Sequence, residues 1–329
     1  MLAIEDWKNL KNVLNITNGD STVGLMEKAN VPGDFLPWRD ILYEGPVPKD
    51  LLLDHLSEIR ANFIIHRNWG NPEAVKQMFS ERDNTLKSFK KYDKVILWFE
   101  HDLYDQLQLL QILDWFSHNE SSKTNLTIIC VNQYLGMCSP DELKALFKHE
   151  EPITKEHLAV AKNAWTAFRS HSPEKWHALK KTDTSALPFL AGIIIRLLEE
   201  YPNCKNGLSR SAQQALKIVA QGEKHPIGVF KRYQASEERK FMGDLSFWKI
   251  LCDFLSSTPP LLTLSDGKKQ IIPARPDQEL TITAEGTEVL VGDKNCHNFV
   301  KLDRWIGGVH LTHNNRWCWN SETRSIVKY

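Results

Sequence analysis

Three short polar segments hold the residue types from which a binding or catalytic site is built. They are Asn18-Gly19-Asp20-Ser21-Thr22, Glu44-Gly45 with Pro46 behind it, and Glu100-His101-Asp102 followed by Asp105-Gln106. Asp102, Asp105 and Gln106 stand at i, i+3 and i+4, so on a helix they point the same way from one turn. Charge limits the chemistry. A helix N-terminus after a glycine attracts phosphate, but Asp20, Glu44, Glu100, Asp102 and Asp105 repel it unless a divalent cation intervenes or some of them bind ribose hydroxyls. A Mg2+-assisted phosphate site, or a nucleoside site, therefore fits better than a bare anion site. On this reading Asp20 and Asp102 hold the metal or ribose, Ser21 and the helix N-terminus take the phosphate, and His101 handles the proton. Asn18, Gly19, Thr22, Glu44, Gly45, Asp105 and Gln106 complete the ligand contacts. Each residue alone also has a plainer use: Asp20, Ser21 or Asp102 as a helix cap, Asp105 as a partner of the helix dipole, Gly19 as a turn.

Other chemistries lack their parts. There is neither a P-loop nor a GxGxxG, which argues against ordinary ATPase and dinucleotide chemistry. Gly19-Asp20-Ser21 resembles the nucleophile block of one hydrolase superfamily, but no Asp-x-x-His follows in the rear of the chain to activate Ser21. Cys296, His297, His310, His313 and Cys318 contain zinc-ligand types at spacings that match no standard pattern.

The elements that must position the polar segments are legible as alternating runs. Residues 13–17, 94–99 and 125–132 read as buried strands and 34–43 as a less regular extended segment, with helical patterns near 21–29, 50–65, 72–90 and 103–116. That alternation predicts a Rossmann-like α/β domain with a mainly parallel sheet, in which the three polar segments follow successive strands and share the edge where such sheets bind ligands. From Ser139 the pattern turns helical, with helices expected near 140–148, 154–170, 173–180, 186–201, 208–221, 225–234 and 243–256. After Pro259-Pro260 it returns to β at 261–264, 280–286 and 289–292, the order of a winged-helix-like α+β domain. Gly307-Gly308 predicts a tight turn, with Trp305, Trp317 and Trp319 as a hydrophobic seal. The expected division is 1–137 for the α/β domain, 138–204 for a helical connector and 205–329 for the winged-helix-like domain.

With 329 residues, more than one domain is expected. Glu5, Asp6, Lys8 and Lys11 interrupt the start of the chain, so no secretory leader is expected, and no apolar run reaches the ~18 residues of a membrane span. Six scattered cysteines without a CxxC read as reduced thiols, consistent with a cytoplasmic protein. Lys and Arg number 14 against 19 Asp and Glu in residues 1–135, and the balance reverses behind them. The basic excess is densest between Lys205 and Lys240, where eight cations face three carboxylates. The alternative to an enzyme of hydrolysis or group transfer on a small phosphorylated or nucleotide-like partner is therefore a ligand-sensing regulator or a nucleic-acid- or protein-binding module, with Arg210, Lys217, Lys231 and Arg232 as the nucleic-acid residues. Residues 208–216 resemble the opening helix of a helix-turn-helix of the sigma-factor type. The following groove-facing candidate, Asp244 to Phe254, has one basic residue, Lys249, and looks built to pack.

The set Ile16 through Ser21, Glu44-Gly45-Pro46 and Trp98 through Leu107 resembles the bacterial family known as domain of unknown function 1835. Longer relatives, sometimes labelled sigma-factor-like, are similar through Asp183 to Pro188, Gly207 to Arg210 and Arg304 to Gly308, so the resemblance spans nearly the whole chain. It implies the same domain order and carries no activity with it. One position departs: the family pattern has His where this chain has Asn15, which implies a supporting hydrogen-bond role that Asn can share.

Overall fold

The computed structural model describes residues 11–119, 121–272, 274–298 and 301–329. The leader-peptide argument from Glu5, Asp6 and Lys8 lies outside the described residues. The chain divides into two compact units, one running to Ile193 and including Gly307–Val309, the other comprising Ile194–Ile306 and His310–Tyr329. The stretch 138–204, expected as a connector, is divided between them at Ile193.

The first unit alternates β1 (Val13–Thr17), α1 (Asp20–Lys28), β2 (Asp34–Pro37), α2 (Leu53–His66), α3 (Pro72–Lys87), β3 (Lys94–Phe99), α4 (Leu103–Ser117), β4 (Asn125–Cys130), α5 (Pro140–Ala145), β5 (Glu151–Pro152), α6 (Lys155–Phe168) and α7 (Glu174–Ala178). The division between units falls within α8 (Leu190–Leu198). The sheet order is β2-β1-β3-β4-β5. β2, β1, β3 and β4 are parallel, and the two-residue β5 closes one edge antiparallel. β1 and β3 are buried at every position, which is why they read as mainly apolar runs broken only by Asn15, Thr17 and Lys94. The chain leaves β1 toward β2 on one side and returns as β3 on the other, so a crevice opens beyond the carboxyl ends of these two strands.

Met26 of α1, its C-cap residue Ala29 and Leu143 of α5 join Val13, Ile96, Trp98 and Ile129 of the sheet in one core cluster. Asn15 is completely buried in β1. Its Oδ1 accepts the Trp98 Nε1–H at 3.0 Å and its Nδ2 donates to the Pro32 carbonyl at 3.0 Å. Both ends of the amide are thus paired, as burial requires. Helix starts follow their caps: Asn71 accepts from Ala74 N ahead of α3, and Ser139 and Glu142 form a capping box at α5.

The second unit contains α9 (Arg210–Ala220), α10 (Pro226–Ser236), α11 (Asp244–Ser256), β6 (Leu262–Leu264), β7 (Leu280–Ile282), α12 (Ala284–Val291), β8 (Asp303–Ile306), β9 (Val309–Thr312), β10 (Trp317–Asn320) and β11 (Ser325–Lys328). The strands pair two by two. Residues 289–292, expected as a strand, are the end of α12 and its cap. Thr283 accepts from Gly286 N at the start, and Gly292 closes the helix with a left-handed φ of 88°. These caps outweigh the β preference of the valines.

The cysteine expectation is also corrected. Cys204 and Cys318 form a disulfide, while Cys130, Cys138, Cys252 and Cys296 are free. Cys204 N donates to the Trp319 carbonyl and Trp319 N to the Pro202 carbonyl, which brings together two thiols 114 residues apart in sequence. No local spacing signals such a pair. Among the described residues, no helix is long and apolar enough to cross a membrane.

Candidate functional site

β1 ends at Thr17 and α1 begins at Asp20, so Asn18 and Gly19 form the whole turn at the crevice. Gly19 is the N-cap residue of α1 and supplies no side-chain acceptor; a Cβ built on it would meet nothing within 4 Å. The first N–H groups of α1 are therefore left without a capping side chain beside open space. Asn18 ties the turn to the next strand. Its Nδ2 donates to Asp105 Oδ2 at 2.9 Å and to Glu100 Oε1 at 3.2 Å, and its Oδ1 accepts from the buried Thr22 hydroxyl at 2.9 Å.

Glu100 follows β3 directly and is buried. Its Oε1 accepts from Leu135 N at 2.7 Å, and its own N–H donates to Asp105 Oδ1 at 2.7 Å. Gln106 Nε2 donates to the Glu100 carbonyl at 2.6 Å. Asp102 caps α4, its Oδ1 accepting from Tyr104 N and Asp105 N, so its plainer use is realised. Glu100, Asp102 and Asp105 each offer a carboxylate oxygen, all within 4.8 Å of one another. Burial pushes Glu100 from the ordinary 4.5 up to about 7, against hydrogen bonds from Leu135, Asn18 and Gly136. Burial, with the charges of Asp102 and Glu100, drives Asp105 well above the carboxylate range. Three carboxylates this close and this dry do not all ionise together.

The other expected residues fall in different places. Asp20 occupies the first position of α1 with its side chain exposed, paired through both oxygens with Arg39 Nε at 2.9 and 3.0 Å. It is not among the three carboxylates that converge, Glu100, Asp102 and Asp105, of which Asp102 is one of the two expected metal residues. Ser21 is exposed on α1, with Gly136 close enough that a Cβ there would lie 3.2 Å from the Ser21 Cβ. His101 is buried, its ring 5.0 Å from that of Tyr134 and 6.0 Å from that of Phe189.

Glu44 and Gly45 are accounted for by Arg60 and its neighbours. The fully buried Arg60 donates to the Glu44 and Ile41 carbonyls and to Asp40. A Cβ on Gly45, whose φ is +77°, would lie 2.7 Å from Arg60 Nη1 and the Phe63 ring, and the Glu44 carboxylate lies 3.8 Å from Arg67. Sequence reasoning gave Glu100 no assigned role and missed the Leu135-Gly136 backbone altogether. The available signal was an acidic residue directly after five consecutive apolar strand residues, followed one strand later by a glycine turn.

In the second unit Arg210 is occupied by Glu199 at 2.7 Å and Glu238 at 2.5 Å, so it does not present a free charge. Lys217, Lys231 and Arg232 are exposed. The zinc-type residues do not assemble: Cys318 is in the disulfide, while His310 bonds Asp303 at 2.9 Å and stacks on Trp305. No model of a known protein family matches the chain, and neither does any curated protein compared with it.

Proposed function

We propose that the crevice beyond β1 and β3 is an active site for a nucleotide-like or phosphorylated substrate, working by metal-assisted hydrolysis or group transfer. The observation that supports it is the convergence of Glu100, Asp102 and Asp105 at the point where the strand order reverses, joined through Asn18 to the turn before the uncapped start of α1. The donors that hold Glu100 and Asp105 are neutral: the Asn18 amide and backbone N–H groups. With one of the three carboxyls carrying a proton, a divalent cation balances the other two. An all-oxygen set suits a hard cation such as Mg2+. In this reading Asn18 and Thr22 orient the carboxylates, and the first N–H groups of α1 with Ser21 receive phosphate. Glu100, titrating near neutrality, takes and returns the proton with His101 beside it.

The test is thermal unfolding with Mg2+ or Mn2+, alone and with ATP or ribose 5-phosphate, on the wild type and on Glu100→Gln with Asp105→Asn. A ligand at a hundredfold excess over its Kd stabilises by about 2.7 kcal/mol. The wild type is expected to respond and the double variant to fold and not respond. No shift with either ion, in any combination, sinks the reading.

A second reading concerns the rear of the chain. The order α9, α10, α11 and then the antiparallel β6–β7 pair supports a winged-helix-like arrangement. Burial of Phe247, Trp248, Leu251 and Phe254 along α11 supports its use as a scaffold or protein-binding surface instead of a reader of bases.

A further inference from the structure

The second unit holds a cleft of about 660 Å³, bounded by α9, the end of α12, the 203–208 segment and the start of the β10–β11 turn. Its size is that of a small-molecule site. Lys205 and Lys217 both line it, are exposed, and make no ion pair among the described residues. Arg210, the third cation of the wall, is matched by Glu199 and Glu238. Glu322 is the carboxylate of the lining that no described cation pairs. Val291, 53% exposed, supplies an apolar margin.

Two lysines without ion pairs and an apolar margin describe a ligand with an anionic group and a flat or apolar body. We propose that this cleft binds a phosphate-bearing small molecule of nucleoside monophosphate type, with Lys205 and Lys217 on the phosphate and Val291 beside its apolar body. The site is independent of the crevice in the first unit and shares no residue with it. Enclosure on several sides favours a mononucleotide over a nucleic-acid duplex. A duplex would draw on the exposed Lys231 and Arg232 of α10, which do not line the cleft.

The experiment is calorimetric titration of the full chain with AMP, adenosine and inorganic phosphate. AMP is expected to bind more tightly than either fragment. Lys205→Ala and Lys217→Ala should each weaken AMP about tenfold, the worth of one charge-assisted hydrogen bond. Glu322→Gln should tighten both AMP and inorganic phosphate. Lys231→Ala should change nothing, which separates the cleft from a surface patch, and omitting divalent cations from the titrations sets aside binding at the metal-assisted first-unit crevice. Absence of AMP binding at millimolar concentration overturns the proposal. So does binding that ignores both Lys205 and Lys217, or that is lost in Lys231→Ala.

Discussion

Two regions of this chain bury carboxylates, and they resolve the cost in opposite ways. In the second unit Glu200 accepts from Arg196 at 2.8 Å and Arg304 at 3.0 Å, and Arg196 also binds Glu237 at 2.7 Å. Burial alone would raise Glu200, but Arg196 and Arg304, with the Ser211 hydroxyl, overturn it and hold the group down at about 2. In the first unit Glu100 and Asp105 are as dry, yet their donors are an amide and backbone N–H groups, and burial wins. The same residue type is held as an anion in one place and pushed toward its protonated form in the other. A cluster compensated by arginines is complete as it stands and reads as structure. One compensated by neutral donors still takes up a proton or a cation, and that is the physical ground for locating function in the first unit.

The comparison breaks most visibly at Arg196. Arg196→Met leaves Glu200 and Glu237 buried with their main counter-charge gone, and should cost about 3–5 kcal/mol in urea unfolding of the second unit. Adding Glu200→Gln and Glu237→Gln should recover much of that loss. If the single variant costs under about 1 kcal/mol, the network is not what settles the second unit's charges.

The first-unit counterpart has the opposite sign with pH. Glu100 titrates near 7 in the folded chain and near 4.5 when unfolded, so the folded state keeps a proton that the unfolded chain has released. Stability contributed by this group therefore falls as pH rises from about 4.5 to about 7, and stays low above that. Glu100→Gln keeps an acceptor for Leu135 N and has no charge to acquire. It should flatten the pH profile in that window and melt above the wild type at pH 8. Glu200 behaves inversely: its contribution is present above about 4.5 and is lost as pH falls toward 2, so Glu200→Gln lowers stability above about 4.5 and converges on the wild type in acid. Equal profiles for the two variants would remove the distinction between the clusters.

Much of this arrangement is readable from sequence because it is local. The runs at 13–17 and 94–99 are strands, and Asp105 and Gln106 stand in the first turn of α4 with Asp102 as its N-cap, one residue short of the helix whose spacing is expected for all three. Asn18 also sits where its strand end predicts. What sequence does not carry is partner choice across the chain. Glu100 is defined by the Leu135 N–H 35 residues on, and Asp20 by Arg39, which draws it outward onto the surface. The Cys204–Cys318 bond and the Arg60 anchor of the Glu44-Gly45 turn are likewise set by packing between distant segments. Local caps decided 289–292 against its β propensity, and there the cue, Thr283 with Gly292 nine residues later, was present and outvoted by the valines.

The smallest expected effect is the sharpest discriminator between the carboxylates of the first unit. Asp20 and Arg39 form an exposed pair, worth about 0–1 kcal/mol, because water and salt screen it and both side chains lose freedom in making it. Asp20→Ala should therefore barely move the melting temperature. If the cation is held by Glu100, Asp102 and Asp105, the variant should also keep the full Mg2+ response, whereas Asp105→Asn loses it while melting at or above the metal-free wild type, since a buried like-charge contact has been removed. Measuring both variants side by side across a Mg2+ titration makes the assignment depend on a difference in response, not on stability. A lost response in Asp20→Ala with a retained one in Asp105→Asn would move the cation from the buried trio to the exposed start of α1.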